Sequence, residues 1–218
     1  MKVLGTGHVT SVEQLDLALL ERTLRRGLSE VTKLFMHAAK LALDAAGTDA
    51  RTMPVIFGSA FGEIAVAEAL LAEAYDRDAS SPARFRNSVH NTAPGLLSIS
   101  QKNTAPCTAI AAGWDTVAMG LLEARAQLAE VERVLLVFAE ERVPHTISDE
   151  HTHAQLGVAF VLAREGDGIA LRNLRRQPLT RDPHPLAGAL ALARCIEQQR
   201  EGTVSIGESW CIDVESAT

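Results

Sequence analysis

Positive charge, aromatic rings, cysteine and long apolar runs are all scarce in this sequence. Its 218 residues carry 21 Lys and Arg against 27 Asp and Glu, a formal net charge of −6. That balance gives no electrostatic footprint for DNA or RNA and no polybasic membrane anchor. No apolar run approaches the ~20 residues of a spanning helix, so membrane insertion is not expected. The opening MKVLGTGHVT lacks the apolar core of a secretory signal and reads as a first strand. Cys107, Cys195 and Cys211 are odd in number and widely spaced, so they spell neither a disulfide framework nor a zinc motif. The expectation is a cytoplasmic, reduced protein with no metal and no cofactor. With aromatics at only 4%, Ala and Leu must carry the core, which favours closely packed helices.

What is present is a hydrophobic pattern whose period alternates between strand and helix. Val3-Leu4 before Gly5-Thr6-Gly7 reads as a short strand and a turn. Val12–Arg26 and Glu30–Ala46 read as helices, the second with Ser29 as N-cap and Gly47 just past its end. Val55–Phe57 reads as a strand closed by Gly58, Glu63–Tyr75 as a helix, and Asp76–Arg86 as a polar surface loop. Cys107–Ala111 forms a buried strand candidate running into a helix, Asp115–Leu128. Val134–Phe138 reads as a strand covered on both faces. Pro144–His153 is loop-like. Leu156–Ala163 and Ile169–Leu174 read as a hairpin turning at Glu165–Gly168, and Leu186–Gln199 as a last helix. Beyond Gly202 the signals are weak, and the tail 203–218 is expected to fray or to need a partner. No linker divides the chain, so residues 1–218 are expected to form one α/β domain.

The run RNSVHNTAPGLLSISQKNTAP resembles the segment before the active site of β-ketoacyl synthases, the condensing enzymes of fatty-acid and polyketide assembly. KVLGTGHVTS, RGLSEVTKLFMHAAKLALDAAG, VIFGSAFGE and ERVLLVFAEE are similar, in order, to the family's first strand, first long helix, Gly-rich turn and the strand after the nucleophile helix. The matches span residues 2–164, and their joint order is more specific than any one of them. The resemblance implies one half of a thiolase-like fold: a mixed central sheet flanked by helices. It also implies a catalytic cysteine at a helix N-terminus, where the dipole favours thiolate. Counting back from Gly120 puts that position at Ala112; counting forward from Pro106 puts it at Trp114, with Gly113 between. None of the three can carry an acyl group. Cys107 lies upstream by about 16 Å of extended chain and reads instead as a small core residue. The family's catalytic histidines belong to a second half for which this length has no place.

What the resemblance implies is a non-catalytic, chain length factor-like subunit of half length, of the kind similar to aryl-polyene, polyketide or fatty-acid systems. Its partner would be a full-length β-ketoacyl synthase, joined through strands that precede the nucleophile. An acyl carrier protein would be met only indirectly. Phe85 falls in the region that reaches toward the partner's acyl tunnel, with a loop anchor as the plain reading. Asn91, Pro94 and Gly95 carry the family match, yet shaping a turn and opening a helix explains them as well. Trp114 either plugs the substrate's place or fills core. His145, His151 and His153 lack a partner at ligand spacing and read as solvated loop. Glu140-Glu141-Arg142 reads by default as a solvated charge cluster. The alternative function is an independent acyl-thioester hydrolase or acyltransferase with a rearranged site at His90 or Cys107. No G-x-S-x-G elbow supports it.

Overall fold

The computed structural model describes residues 1–77, 81–149, 153–177 and 182–216. Strand β1 (Lys2–Val9) continues through Gly5 and Gly7, with a shift of register between Val3 and Gly5, and does not turn there. The reason is the helix above it, α1 (Glu30–Ala45). A Cβ on Gly5 would sit 2.4 Å from the carbonyl oxygen of Ala42, and one on Gly7 would sit 2.3 Å from Cβ of Leu41. The two glycines clear one face of the strand so that α1 can lie directly on it. The N-terminus of α1 is capped as its sequence predicts: Ser29 Oγ accepts the Thr32 N–H at 3.1 Å, and Gly47 takes a φ of +59° just past the helix end.

Residues 12–26 do not form the expected helix; only Arg22–Arg25 make a single 3-10 turn. Local side chains satisfy the backbone instead. Ser11 Oγ accepts from Glu13 N at 3.1 Å, Asp16 Oδ1 accepts from Ala18 N at 2.8 Å, and Gln14 has a φ of +57°. The segment then folds Leu20 fully into the core.

The next units follow the expected rhythm: β2 (Val55–Gly58), α2 (Ile64–Arg77), β3 (Cys107–Ile110), α5 (Thr116–Gln127) and β4 (Arg133–Glu140), and the segment around Asn91–Gly95, read only as opening a helix, extends into α4 (Thr92–Gln101). The segment expected as a loop after Tyr75 is largely helical. α2 continues to Arg77, and a short α3 (Pro82–Arg86) opens on proline behind a Ser81 cap. β5 (Leu156–Ala163) and β6 (Ile169–Arg176) exist but are not a hairpin, because β1 lies between them and is antiparallel to both. After α6 (Ala187–Glu197), the tail pairs as β7 (Gly202–Ser205) with β8 (Trp210–Glu215), and β8 pairs with β6. The expected fraying is therefore not observed over Gly202–Glu215. These strands share one sheet in the order β3-β2-β4-β5-β1-β6-β8-β7.

Two cores cover its two faces. α1 and α4 press Leu34, Phe35, Leu97 and their neighbours onto one side. α5 and α6 press Val117, Leu121 and Leu192 onto the other, joined by Ile206 from the segment after β7. Each such side chain contributes roughly 1.5–3 kcal/mol of burial. β4 and β5, caught between both layers, are covered along nearly their whole length.

Candidate functional site

The parallel strands β2, β3 and β4 end side by side at Gly58, Ile110 and Glu140. The carboxyl ends of parallel strands are where α/β sheets generally seat their chemistry. Here β3 passes through Ala111 and Ala112 into a 3-10 turn, Gly113–Asp115, which opens α5. Thr116 pins this elbow. Its hydroxyl accepts the Ala112 N–H at 3.0 Å and donates to the Gly113 carbonyl at 2.7 Å. Gly113 holds a φ of +56°, a conformation suited to glycine. Gly120, one turn into α5, lets the helix approach β4: a Cβ there would lie 2.7 Å from the Phe138 ring. The strand–turn–helix bend is complete, and the residue at it, Ala112, bears a methyl group.

Around this bend stands a chain of rings. Trp114 donates its indole N–H to the Asp182 carbonyl at 2.9 Å and meets Phe61 edge-on at 6.2 Å between centroids. Phe61 stacks on His153 at 5.5 Å, and His153 meets His184 edge-on at 4.7 Å. His184 donates from Nε2 to the Ala154 carbonyl at 2.8 Å while Nδ1 accepts the Leu186 N–H at 2.9 Å. That bonding fixes a neutral tautomer, and burial pushes the pKa of His184 down. Both nitrogens are committed to backbone, so this imidazole clamps two loops together. A pocket of about 250 Å³ beside Trp114 is lined by His184, Pro185, Ala191 and Gly207. His153 is buried, contrary to the solvated loop expected of it; His151 lies outside the described residues. Among the described residues no group of three His, Cys, Asp or Glu side chains is arranged to hold a metal ion.

Glu140 and Glu141, expected in solvent, are instead buried at the end of β4 together with Glu63. Glu140, Glu141 and Glu63 are 0%, 2% and 3% exposed. Glu140 accepts the Ala60 N–H. Glu141 accepts Val31 N–H at 3.3 Å through one oxygen and Ala65 N–H at 3.0 Å through the other. Glu63 accepts the Thr32 hydroxyl at 2.7 Å. The backbone amides at the starts of α1 and α2 and in the loop after β2 offer donors that draw these carboxyls inward.

The other residues singled out by sequence lie toward the β3 side of the sheet. Phe85 stands 62% exposed on α3. Asn91 precedes α4 without a side-chain cap bond, Pro94 is buried in its first turn, and a Cβ on Gly95 would meet nothing within 4 Å. His90 packs against Phe57 and points Nε2 at the Ile110 carbonyl, 3.3 Å away. Cys107 is exposed, not a core residue, because β3 is the outermost strand of the sheet. Its Sγ lies 3.0 Å from Ser98 Oγ. His90 and Cys107 engage different partners, and no described contact joins them.

Among the described residues no strand covers the outer edge of β3. Val55 N–H bonds to Pro106 and Ser59 N–H to Ile110, so alternation turns the backbone groups of Cys107, Ala109 and Ala111 outward. α4 and α5 flank this edge, through Ser98 to Cys107 and Gln127 to Thr108. They carry the exposed Ile99 and Leu122, and Phe85 and Val89 are exposed in the segment leading into α4.

Comparison with known proteins places this frame. The profile of the "Beta-ketoacyl synthase, N-terminal domain" family matches residues 5–208. No curated protein shows a significant match. A solved complex of a ketosynthase with its chain length factor from Xenorhabdus doucetiae is similar at TM-score 0.74 and 24% identity. The match covers 91% of this chain and 83% of that one. A type II polyketide acyl-carrier protein in complex with its ketosynthase bound to a hexaketide gives TM-score 0.69 and 10% identity, covering 99% and 98%. The ishigamide ketosynthase/chain length factor gives 0.60 and 17%, covering 78% and 66%. At these identities the likeness is one of fold, and the fold is that of thiolase-like ketosynthases. Among the described residues no helix is long and apolar enough to cross a membrane.

Proposed function

The chain belongs to the β-ketoacyl synthase family through its N-terminal domain, and from that premise we propose that it is a non-catalytic, chain length factor-like subunit. It pairs with a full-length β-ketoacyl synthase, completes that enzyme's dimer and helps to shape its acyl tunnel. In this reading residues 1–218 act as one unit. The observation that carries it is the open edge of β3, whose outward N–H and C=O groups are bordered by exposed apolar side chains. An unpaired strand edge beside exposed Ile99, at 67%, is a liability unless another strand covers it. Ala112 at the bend of an intact elbow supports the non-catalytic half of the reading, since a methyl group cannot accept an acyl chain. Phe85 reaches toward the partner's tunnel, and Asn91, Pro94 and Gly95 shape the segment that carries it there. An acyl carrier protein meets the pair through the active partner.

Co-expression with a full-length ketosynthase encoded beside it tests the reading. The two should elute as one species, with an interface above about 2,000 Å². Ala109→Pro removes one outward N–H from the edge strand, where proline is tolerated. It should abolish the complex and leave the chain's own unfolding transition in place. Separate elution of the unmodified proteins at micromolar concentration would refute the pairing.

A further inference from the structure

The three buried carboxyls behind the elbow have no role in the proposed pairing, and their surroundings differ in one respect. Both oxygens of Glu141 accept backbone N–H groups, one from the start of α1 and one from the start of α2. Glu140 and Glu63 each keep one oxygen, Oε2, buried without a hydrogen-bond partner. A buried carboxylate oxygen with no donor is far costlier than the same oxygen on a neutral acid.

The charges acting on the three deepen that contrast. Glu141 bears on both Glu63 and Glu140, and Glu30 of α1 bears on Glu141; every one of these is acidic. Arg84 of α3 and Arg142 beyond β4 line the groove outside Glu141, but Arg84 is already paired with Glu73 at 3.5 Å. His90 stands on the far side of the loop, against Gly62, and burial pushes its pKa down. Among the described residues, no cationic group bears on Glu63 or Glu140.

We infer that Glu63 and Glu140 are held as carboxylic acids beside Glu141, and that losing their two protons as pH rises frees the loop they fasten, Ser59–Glu63. The loop is gripped from two sides. Glu140 at the end of β4 holds Ala60, and Glu63 is tied to Thr32 of α1. Between these fastenings the loop carries Phe61, the ring that leans on Trp114. Ionisation of either acid places a buried negative charge beside Glu141 with its Oε2 still unpartnered, and the loop lifts to admit water. Phe61 leaves with it, so the filling beside the elbow loosens. The direction agrees with burial, which pushes Glu63 up to about 7 and Glu140 up to about 8. This device is independent of whether a ketosynthase partner binds.

Amide hydrogen exchange of the full chain between pH 6 and pH 9 tests it, with rates corrected for the intrinsic effect of pH. Protection at Val31, Ala60 and Ala65 should fall about tenfold or more, while Phe160 in the central β5 changes less. Glu140→Gln, an amide that cannot ionise, should flatten the fall at Ala60. Should that variant not fold, Glu63→Gln and a direct carboxyl titration of the unmodified protein by carbon NMR decide the matter. Two glutamates titrating near 7 and 8 support the latch. All glutamates titrating below about 5, or a fall in protection of equal size at Phe160, would overturn it.

Discussion

At the scale of single residues, the molecule is held by side chains whose partners lie far away in sequence. Asn103 is buried, donates to the carbonyls of Ala50 at 2.6 Å and Met53 at 2.9 Å, and accepts from Ala105 N at 2.7 Å. Asn103→Ala strands two buried carbonyls and should cost about 2–4 kcal/mol in a denaturant titration. Gly120→Ala forces a methyl into the Phe138 ring and should cost about 1–3 kcal/mol. A second change, Phe138→Leu, should recover part of that loss in a double-mutant cycle. The sequence made it legible that neither Ala112 nor Trp114, at the turn into α5, can carry an acyl group. It did not show that Phe61, His153 and His184 gather around it, since each contact joins separate loops. Nor did it betray the buried glutamates. A charged triplet at a strand end looks solvated until helix N-termini are found converging on it. Cys107 was misjudged for the opposite reason: a short apolar strand reads as buried whether or not a neighbour covers its outer edge.

Among the elements, those stabilised within themselves were the readable ones. α1 carries its own cap, its own apolar stripe and its own terminating glycine, and its observed end differs from the predicted one by a single residue. Ser29→Ala should therefore lower stability by about 1 kcal/mol, measured as a shift in the denaturation midpoint. Strand partners, and the tail strands that depend on them, were not readable. The apparent hairpin of β5 and β6 dissolves because β1 slots between them. The strands β7 and β8 exist because β6 offers them an edge and α6 a floor. Ile206, Ile212 and Val214 are fully buried or nearly so and belong to the α5–α6 core. Deleting residues 202–218 should thus remove core, not a dispensable tail. The shortened chain is expected to aggregate on expression, with loss of its cooperative thermal transition.

For the whole molecule, the buried acids set how stability responds to pH. Glu63 and Glu140 bind protons more tightly when folded than in the unfolded chain, whose carboxyls titrate near 4.3. Their contribution is fully present below that range. It is lost as pH rises through about 7 and about 8. In that window the unfolded chain holds fewer protons, so unfolding free energy declines with pH, by about 1.4 kcal/mol per unit for each proton withheld. Urea titrations at pH 6, 7.5 and 9 should show the decline, against the common tendency of carboxylate-stabilised proteins to lose stability in acid. A flat or rising profile would contradict it.

The central place of β1 has a bearing on how the chain comes to exist. Lys2 registers with Ala163 and Val9 with Gly157, so β1 leaves the ribosome about 150 residues ahead of its partner. At ordinary synthesis speeds that delay is on the order of ten seconds. Through it the nascent segment must stay unpaired, and the sheet can close only once β5 has emerged. Folding of this protein should accordingly be late, slow and sensitive to chaperone supply.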